Sequence, residues 1–374
     1  MLPYADDSRR ILFIRNDRKC AVGKRSERMC YVSGTRLFRC MLTVLLLAGA
    51  APRFRAAVAS CPTIEDFDRS EVRRRIRGGL DFLLSRQGPD GSFLAAKPIS
   101  DYASLRVGVS ASCGLALLQR APMERDERID TAIVQLVSFL ASQEKPSGLI
   151  CETDDANAAA SHGYATWFLA RAHLLRGEGL VKFTEIESAA SALTSIQHLD
   201  GGWGRSLDVR APSDLSNTVC VMMALSTCRR CGIAVSETIW NGCEEFITRC
   251  ECDDGGFSIL ASPQRDGGVA SAAHGAVGLS LLERDRDQRL QRCFEYLSIY
   301  GSNATDQASA PFQLYGDFYM SHVIQYAPKE QRLRWSETTV ATLLRSQEAN
   351  GAWIDPAGEE FGTALAVLVL SSIK

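Results

Sequence analysis

A chain of 374 residues, 46% of them hydrophobic and 23% charged, has the composition of a globular protein with a sizeable core. Its formal net charge of −2 excludes a protein that binds nucleic acid through a basic surface, because counterion release needs a positive field. The sequence lacks a run of roughly 18 apolar residues, so we do not predict a membrane-spanning helix.

The first 61 residues differ from the rest of the chain. A stretch rich in Arg and Lys precedes the apolar run MLTVLLLAGAA (41–51) and a series of small residues that ends at Cys61. This order is typical of an export signal, although Arg53 and Arg55 interrupt the cleavage region. We predict a leader over 1–61, a signal or a disordered segment; the alternative is an overextended start, with Met29 as the first residue. Two locations stay open, the periplasm or cell envelope and the cytoplasm.

From residue 62 onward, one short motif recurs: a Gln or Glu, a turn that contains Gly, and a large apolar residue. Its copies begin at Gln87, Gln143, Gln197, Glu251 and Gln347. One further copy, expected near residue 299, has lost the motif. Such regular spacing indicates that one supersecondary unit has been duplicated along the chain.

Each unit predicts a pair of helices. An amphipathic segment precedes each motif, and a segment with little charge follows it, which is typical of an outer and an inner helix. The outer helices are predicted to start near residues 70, 125, 181, 234, 286 and 329. In the turn, Gly takes positive φ, and the Trp or Phe is expected to fold back on the helix end. Because the chain ends on the apolar segment TALAVLVLSSIK, we predict an all-α, closed α6/α6 toroid.

These motifs resemble the QW-type repeats of the prenyltransferase and squalene-cyclase superfamily, over residues 70 to 374. The stretches SHGYATWFLA, DLSNTVCVMMAL and GDFYMSHVIQYAP are similar to uncharacterised bacterial repeat proteins of that superfamily. The resemblance implies a single toroid domain over 62–374 with a central, mostly apolar cavity suited to an isoprenoid. It does not imply a reaction, since function belongs to the site and not to the fold.

The chain departs from both catalytic patterns of the superfamily. Class II terpene cyclases carry Asp-x-Asp-Asp before a Thr, and the matching stretch here is Asp214 to Thr218, in which Ser216 and Asn217 replace two acids. Protein prenyltransferases bind zinc with Asp-x-Cys and a distant His, and Asp-x-Cys does not occur in the sequence. We therefore predict neither a metal site nor a cofactor.

Polar residues near the starts of the inner helices are expected to meet at one mouth of the ring. Helix N-termini there favour an anion, so a ligand with an apolar tail and a polar or anionic head, such as a prenyl diphosphate, would fit. The predicted catalytic residues, as acid, base or orienting groups, are Asp214, Asp317, His322 and His162. The predicted ligand-binding residues are Ser216, Asn217, Asp266, His274, Tyr315 and Tyr319.

Three functions remain open from the sequence. The first is a terpene-cyclase-like protein that binds or converts an isoprenoid or similar lipid. The second is a non-catalytic exported toroid that acts as a binding or scaffold module, with its barrel filled by Trp167, Met222, Met223 and Phe318. The third is a carbohydrate-active enzyme of the same barrel type. The predicted partner is an apolar small molecule; contact with a membrane surface is left open, and the oligomeric state is not predicted.

The thirteen cysteines are predicted to be mainly buried thiols. Cys113, Cys220 and Cys293 lie within apolar runs, where a free Cys behaves as a small hydrophobic residue. The close pairs, Cys228 with Cys231 and Cys250 with Cys252, have no second pair or His at zinc-finger spacing.

Overall fold

A computed structural model of the chain describes residues 69–93, 105–120, 126–152, 157–262, 267–283, 288–301 and 313–373. These ranges belong to the compact unit Ala59–Lys374, and the other unit is Met1–Val58. The predicted leader, the domain start at 62 and the predicted ligand residue Asp266 lie outside the described residues.

Twelve α-helices occur in the described ranges, and they alternate between an outer and an inner position. The outer helices are α1 (Arg69–Arg86), α3 (Glu127–Ser142), α5 (Phe183–Ser195), α7 (Glu237–Cys250), α9 (Gln288–Tyr300) and α11 (Lys329–Ser346). The inner helices are α2 (Arg106–Arg120), α4 (Ala158–Arg176), α6 (Leu215–Arg230), α8 (Val269–Leu281), α10 (Gln313–Val323) and α12 (Glu359–Ser372). The six predicted outer-helix starts are confirmed to within three residues.

The inner helices form a closed ring. Each one packs against the next inner helix in chain order, and α12 packs against both α1 and α2. The last unit therefore covers the apolar surface of the first, and the predicted all-α, α6/α6 toroid is confirmed. None of the helices in the described ranges is long and apolar enough to cross a membrane.

Burial separates the two kinds of helix as the sequence pattern predicts. On α7, the buried residues form one stripe at helical spacing: Trp240, Cys243, Phe246, Ile247 and Cys250. On α6, by contrast, an unbroken run from Asn217 to Leu225 is buried. A helix with so little polar surface is stable only when other helices surround it.

In the three motifs that begin with Gln, the side-chain amide joins its own turn to the next outer helix. The Gln197 Nε2 donates to the Gly201 carbonyl at 2.8 Å and to the Ile239 carbonyl of α7 at 3.0 Å. The Gln347 Nε2 makes the equivalent bond to the Arg75 carbonyl of α1 at 2.9 Å, which links the last unit to the first. The same bonds in these three copies explain why an amide side chain stands there, whereas Glu144 and Glu251 begin the other two copies.

Gly201 shows why the turn requires glycine. Its φ is +85°, and a Cβ at this position would lie 2.3 Å from the Gly242 carbonyl oxygen of α7. Any other residue would be strained and would also push the two outer helices apart.

The prediction that the second motif begins at Gln143 is wrong by one residue. Gln87 pairs with Phe93 across its turn, and the equivalent pair in the second copy is Glu144 with Ile150. In the other copies, a glycine with positive φ stands four residues after the first residue of the motif. Gly148 has positive φ, so the second motif begins at Glu144.

Trp203 folds back on the preceding helix, as predicted. Its Nε1 donates to the Leu193 carbonyl of α5 at 2.9 Å, and Trp353 does the same with Leu343 of α11. Both indoles are fully buried, so the aromatic residue and the hydrogen bond together fix the end of the outer helix.

Candidate functional site

A pocket of about 590 Å³ lies at the end of the ring where the inner helices begin. The first turns of α2, α4, α6, α10 and α12 form its wall together with the loops before α6 and α12. Most of the lining is apolar or aromatic and includes Leu105, Val109, Ala160, Tyr164, Tyr315 and Phe361. The polar groups include Asn157, Arg205, Asp214, Ser216, Asn217 and Asp355.

Asp214 caps α6 and brings two other predicted residues to the pocket. Its Oδ1 accepts from the Ser216 hydroxyl at 2.7 Å and from the Asn217 backbone N–H at 2.8 Å. Its Oδ2 accepts from the Asn217 Nδ2 at 2.7 Å. The two residues that replace acids of the cyclase motif therefore act as hydrogen-bond donors to the remaining one. With both oxygens occupied, Asp214 holds the helix start and its two neighbours in place.

Tyr315 lines the pocket and forms one cluster with Tyr319 and His274, which are buried behind it and are not among the described lining residues. The hydroxyls of Tyr315 and Tyr319 are 3.2 Å apart, and the His274 ring centroid lies 4.0 Å from that of Tyr319. The His274 Nδ1 donates to the Ala270 carbonyl at 2.6 Å, because a carbonyl oxygen can only accept. Burial lowers the pKa of His274 to about 4, so the imidazole is neutral.

His162 does not reach the pocket. Its Nδ1 accepts the backbone N–H of Ile150 at 3.0 Å, and its Nε2 donates to the Ala189 carbonyl at 3.0 Å. Burial lowers its pKa to about 4. Both ring nitrogens are occupied, so the predicted catalytic role gives way to a structural one: His162 ties a turn and α5 to α4.

Asp317 lies on the opposite side of α10 from the pocket. Because Tyr315 and Tyr319 are four residues apart and share one face, the residue midway between them points away. Its carboxylate accepts from the Trp335 Nε1 of α11 at 3.2 Å and from the Gln313 Nε2 at 3.4 Å. Burial raises the pKa of Asp317 to about 6. The expectation that this group joins the pocket is not met.

His322 is in the last turn of α10 and not near its start. Its ring packs 5.0 Å from Phe318 and 5.8 Å from Trp167, centroid to centroid. Burial, with a smaller contribution from Arg171, lowers its pKa to about 4. Inner helices start at the pocket, so His322 lies toward the other end of the ring and belongs to the packed part of the barrel.

That other end is filled. Trp167 and Phe318 pack with their ring centroids 6.0 Å apart, and both are buried, as are Met222 and Met223. The barrel is therefore open where the inner helices begin and packed where they end.

Asp355 is a pocket residue that sequence reasoning missed. It lies in the loop between Trp353 and α12, lines the pocket and is 7% exposed. Its Oδ1 accepts the Ala357 backbone N–H at 2.8 Å. Burial raises the pKa of Asp355, and this hydrogen bond only partly opposes the rise. The signal in the sequence is the stretch Trp-Ile-Asp-Pro (353–356), in which a carboxyl group follows the buried Trp of the last motif.

The thiols and acids of the described residues form no obvious reactive site. No group of three or more His, Cys, Asp or Glu side chains is placed there to hold a metal ion. Cys113, Cys220 and Cys293 are buried free thiols, as predicted, and burial raises the pKa of each. A thiol with a raised pKa is a poor nucleophile at neutral pH.

Comparison with known families agrees with this architecture. The sequence profile described as "Prenyltransferase alpha-alpha toroid domain" matches residues 53–180 and 114–303. The chain belongs to this family. This places the toroid in the superfamily that its repeat motifs resemble. No curated protein sequence matches the chain.

Solved structures show the same fold at low sequence identity. The type II terpene cyclase MstE from Scytonema, in its apo form, is 14% identical to this toroid protein, with a TM-score of 0.57 over 81% of this chain and 98% of that one. An inactive variant of the alpha-1,6-mannanase GH76A of Salegentibacter sp. HEL1_6, in complex with alpha-1,6-mannotriose, is 9% identical, with a TM-score of 0.59 over 81% and 99%. A protein from Actinoplanes is 15% identical, with a TM-score of 0.50 over 81% and 98%.

These neighbours establish the fold alone. MstE has been solved with geranylgeranyl dihydroxybenzoate as substrate, and the mannanase with a mannose oligosaccharide. One toroid architecture thus holds an apolar chain in one protein and a sugar in another. For this family member, the chemistry of its own pocket has to decide between them.

Proposed function

We propose that this protein binds an isoprenoid or a similar apolar molecule in the pocket at the start of the inner helices. The observation that carries the proposal is the lining: a volume of about 590 Å³ whose wall is mainly aliphatic and aromatic. Such concave, mostly apolar pockets with few polar groups are typical of small-molecule sites. A toroid of the same fold, the terpene cyclase MstE, has been solved with geranylgeranyl dihydroxybenzoate, a compound of this class.

We infer that Asp355 is the group that exchanges a proton with the bound molecule in any conversion. It is a buried carboxyl group in the wall with a raised pKa, which favours the protonated acid. Asp214, by contrast, has both oxygens occupied by Ser216 and Asn217. The chemistry would therefore not follow the Asp-x-Asp-Asp pattern.

The same residues weigh against a glycosidase. Glycoside hydrolysis ordinarily uses two carboxyl groups, one on each side of the scissile bond. Among the described lining residues the carboxyl groups are Asp214 and Asp355, and the first is engaged in capping α6. A single available acid favours binding or conversion of an apolar molecule over cleavage of a sugar.

Native mass spectrometry of the full chain tests the proposal. After purification from a bacterium, the protein is expected to retain an isoprenoid or another lipid, identified by organic extraction, or to take up added geranylgeraniol. Retention of added mannotriose alone would instead indicate a carbohydrate protein. A chain that takes up neither compound would be a scaffold toroid.

A pair of variants locates the binding. Ala160 lines the pocket on α4, so Ala160→Phe should fill part of it and reduce uptake at least tenfold. Val134 is 53% exposed on the outer helix α3, so Val134→Phe adds the same ring at a distance and should leave uptake unchanged. Equal uptake by both variants would place the ligand elsewhere. Export and contact with a membrane surface stay predictions.

A further inference from the structure

Two tyrosines line the inner end of the pocket, and a third packs against them. Tyr164 lies in the second turn of α4, and Tyr315 and Tyr319 lie one turn apart on α10. Tyr164 and Tyr315 line the pocket, whereas Tyr319 is fully buried. One turn beyond Tyr164, Trp167 packs against Phe318 and closes the barrel. A ligand that enters the pocket therefore ends its path at phenol hydroxyl groups.

Each of these hydroxyls can both donate and accept a hydrogen bond, but the Tyr164 hydroxyl is not paired. The structure contains one hydrogen bond among them, between Tyr315 and Tyr319 at 3.2 Å, in which either group donates. The Tyr164 hydroxyl lies close enough to both to affect their acidity, but it forms no hydrogen bond of acceptable geometry with any described residue. The Tyr164 side chain is only 5% exposed. Buried polar groups are almost always paired, so a ligand atom that accepts from the Tyr164 O–H group would complete this end of the pocket.

The charges around the tyrosines favour a neutral acceptor. Burial raises the pKa of Tyr164, Tyr315 and Tyr319, so all three remain protonated donors. The nearby Asp214 raises the pKa of Tyr315 further, which indicates a negative potential at this end of the pocket. Of the described residues that line the pocket, the one cation is Arg205, and it is exposed.

We propose that the pocket binds its ligand with a neutral oxygen atom innermost, where the Tyr164 hydroxyl donates a hydrogen bond to it and the Tyr315–Tyr319 pair completes the contact. The ligand class is an isoprenoid alcohol, ether or carbonyl compound. This orientation is the reverse of the prenyl diphosphate with its head at the mouth that the sequence suggested. The inference rests on the proposed function, because it takes the apolar pocket as the binding site.

Equilibrium dialysis of the full chain measures the preference. The probes are geranylgeraniol, the hydrocarbon of the same skeleton without the hydroxyl, and geranylgeranyl diphosphate. The wild-type protein should bind the alcohol roughly fivefold to tenfold more tightly than the hydrocarbon, the effect of one hydrogen bond. In Tyr164→Phe this preference should disappear, while the dissociation constant of the hydrocarbon stays the same.

A matched control separates this effect from a general effect of removing a hydroxyl. Tyr296 is equally buried but lies on the outer helix α9, outside the pocket lining, so Tyr296→Phe should keep the preference for the alcohol. Because the Tyr164 hydroxyl has no partner in the free protein, Tyr164→Phe should unfold at the same or a higher urea concentration than the wild type. A lower midpoint would mean that the hydroxyl is already paired, which overturns the inference.

The outcomes distinguish the two proposals. If the wild type binds alcohol and hydrocarbon equally, or binds the diphosphate more tightly than the alcohol, the neutral-oxygen site is wrong and the apolar pocket stands. If none of the three compounds binds, both proposals fail. Tyr315→Phe provides a second variant, with a partial loss of the preference expected.

Discussion

Asp214 and Asp355 show how local contacts assign different roles to two carboxyl groups in one pocket. Asp214 stands at a helix start and accepts hydrogen bonds from a hydroxyl, a backbone N–H and an amide. Asp355 stands in a loop, is 7% exposed and accepts one backbone N–H, so burial dominates and raises its pKa. In the sequence, both residues are simply aspartic acids. Only their neighbours in the structure show that Asp214 caps a helix and that Asp355 is a candidate acid.

Asp317 provides a prediction at the scale of one residue. Burial raises its pKa to about 6, so the folded protein holds this proton over a pH range in which the unfolded chain has released it. Its contribution to stability therefore falls as pH rises through that range and stays low above it. In Asp317→Asn, which mimics the protonated acid, the free energy of unfolding should exceed that of the wild type by about 2 kcal/mol near neutral pH.

Urea unfolding measures this difference. At about pH 4 the two proteins should be nearly equal, since Asp317 is protonated in the folded state there. The buried histidines titrate in both proteins alike and cancel in the comparison. Asp208→Asn, at a residue that lies in an exposed loop paired with Arg210, is the control and should show no gain at neutral pH. A destabilised Asp317→Asn at neutral pH would contradict the assignment.

At the scale of the element, the helix pair depends on its turn. The motif glycine takes positive φ, the Trp or Phe packs on the helix end, and the Gln connects to the following outer helix. The glycine with positive φ occurs in all five copies, and the amide contact occurs in the three copies that begin with Gln. The motif is architecture and takes no part in the chemistry of the pocket.

Gln197 and Gln143 form a matched pair for testing this role. Gln197→Met keeps the size of the side chain but leaves the carbonyls of Gly201 and Ile239 without their donor. We expect a loss of about 1 to 3 kcal/mol in the free energy of unfolding. Gln143 donates only to the exposed Ser142 hydroxyl, so Gln143→Met should change the urea midpoint little. Equal losses would mean that the register of the second turn, set here at Glu144, is incorrect.

At the scale of the whole molecule, contacts between the first and last units close the ring. Arg86 of α1 donates to Glu360 of α12 at 2.8 Å, and the Gln347 amide reaches the Arg75 carbonyl. The Glu360 side chain is fully buried, and its second oxygen has no hydrogen-bond partner in the described residues. The pocket wall includes both α2 and α12, so closure also completes the site.

Arg86→Met tests the contribution of this contact to closure. The variant keeps an apolar stem but leaves the Glu360 carboxylate buried without its cation, which should lower the free energy of unfolding by about 2 kcal/mol. Arg210→Met breaks the exposed pair with Asp208 and should leave the urea midpoint nearly unchanged. The double variant Arg86→Met, Glu360→Leu should recover part of the loss. A midpoint unchanged in Arg86→Met would show that the seam is held by apolar packing alone.

The sequence by itself determined the repeat, the alternation of outer and inner helices, their starts and the closed ring, because these follow from hydrophobic period and turn chemistry along the chain. It also placed Asp214, Ser216, Asn217 and Tyr315 at one mouth, since an inner-helix start is visible in the sequence. Only the tertiary structure decided which side of α10 faces the pocket, and so separated Asp317 from Tyr315. It likewise showed that both ring nitrogens of His162 bond to backbone groups and that Asp355 lines the pocket. The physical reason is that the rotation of a helix and the neighbours of a buried group depend on packing between units.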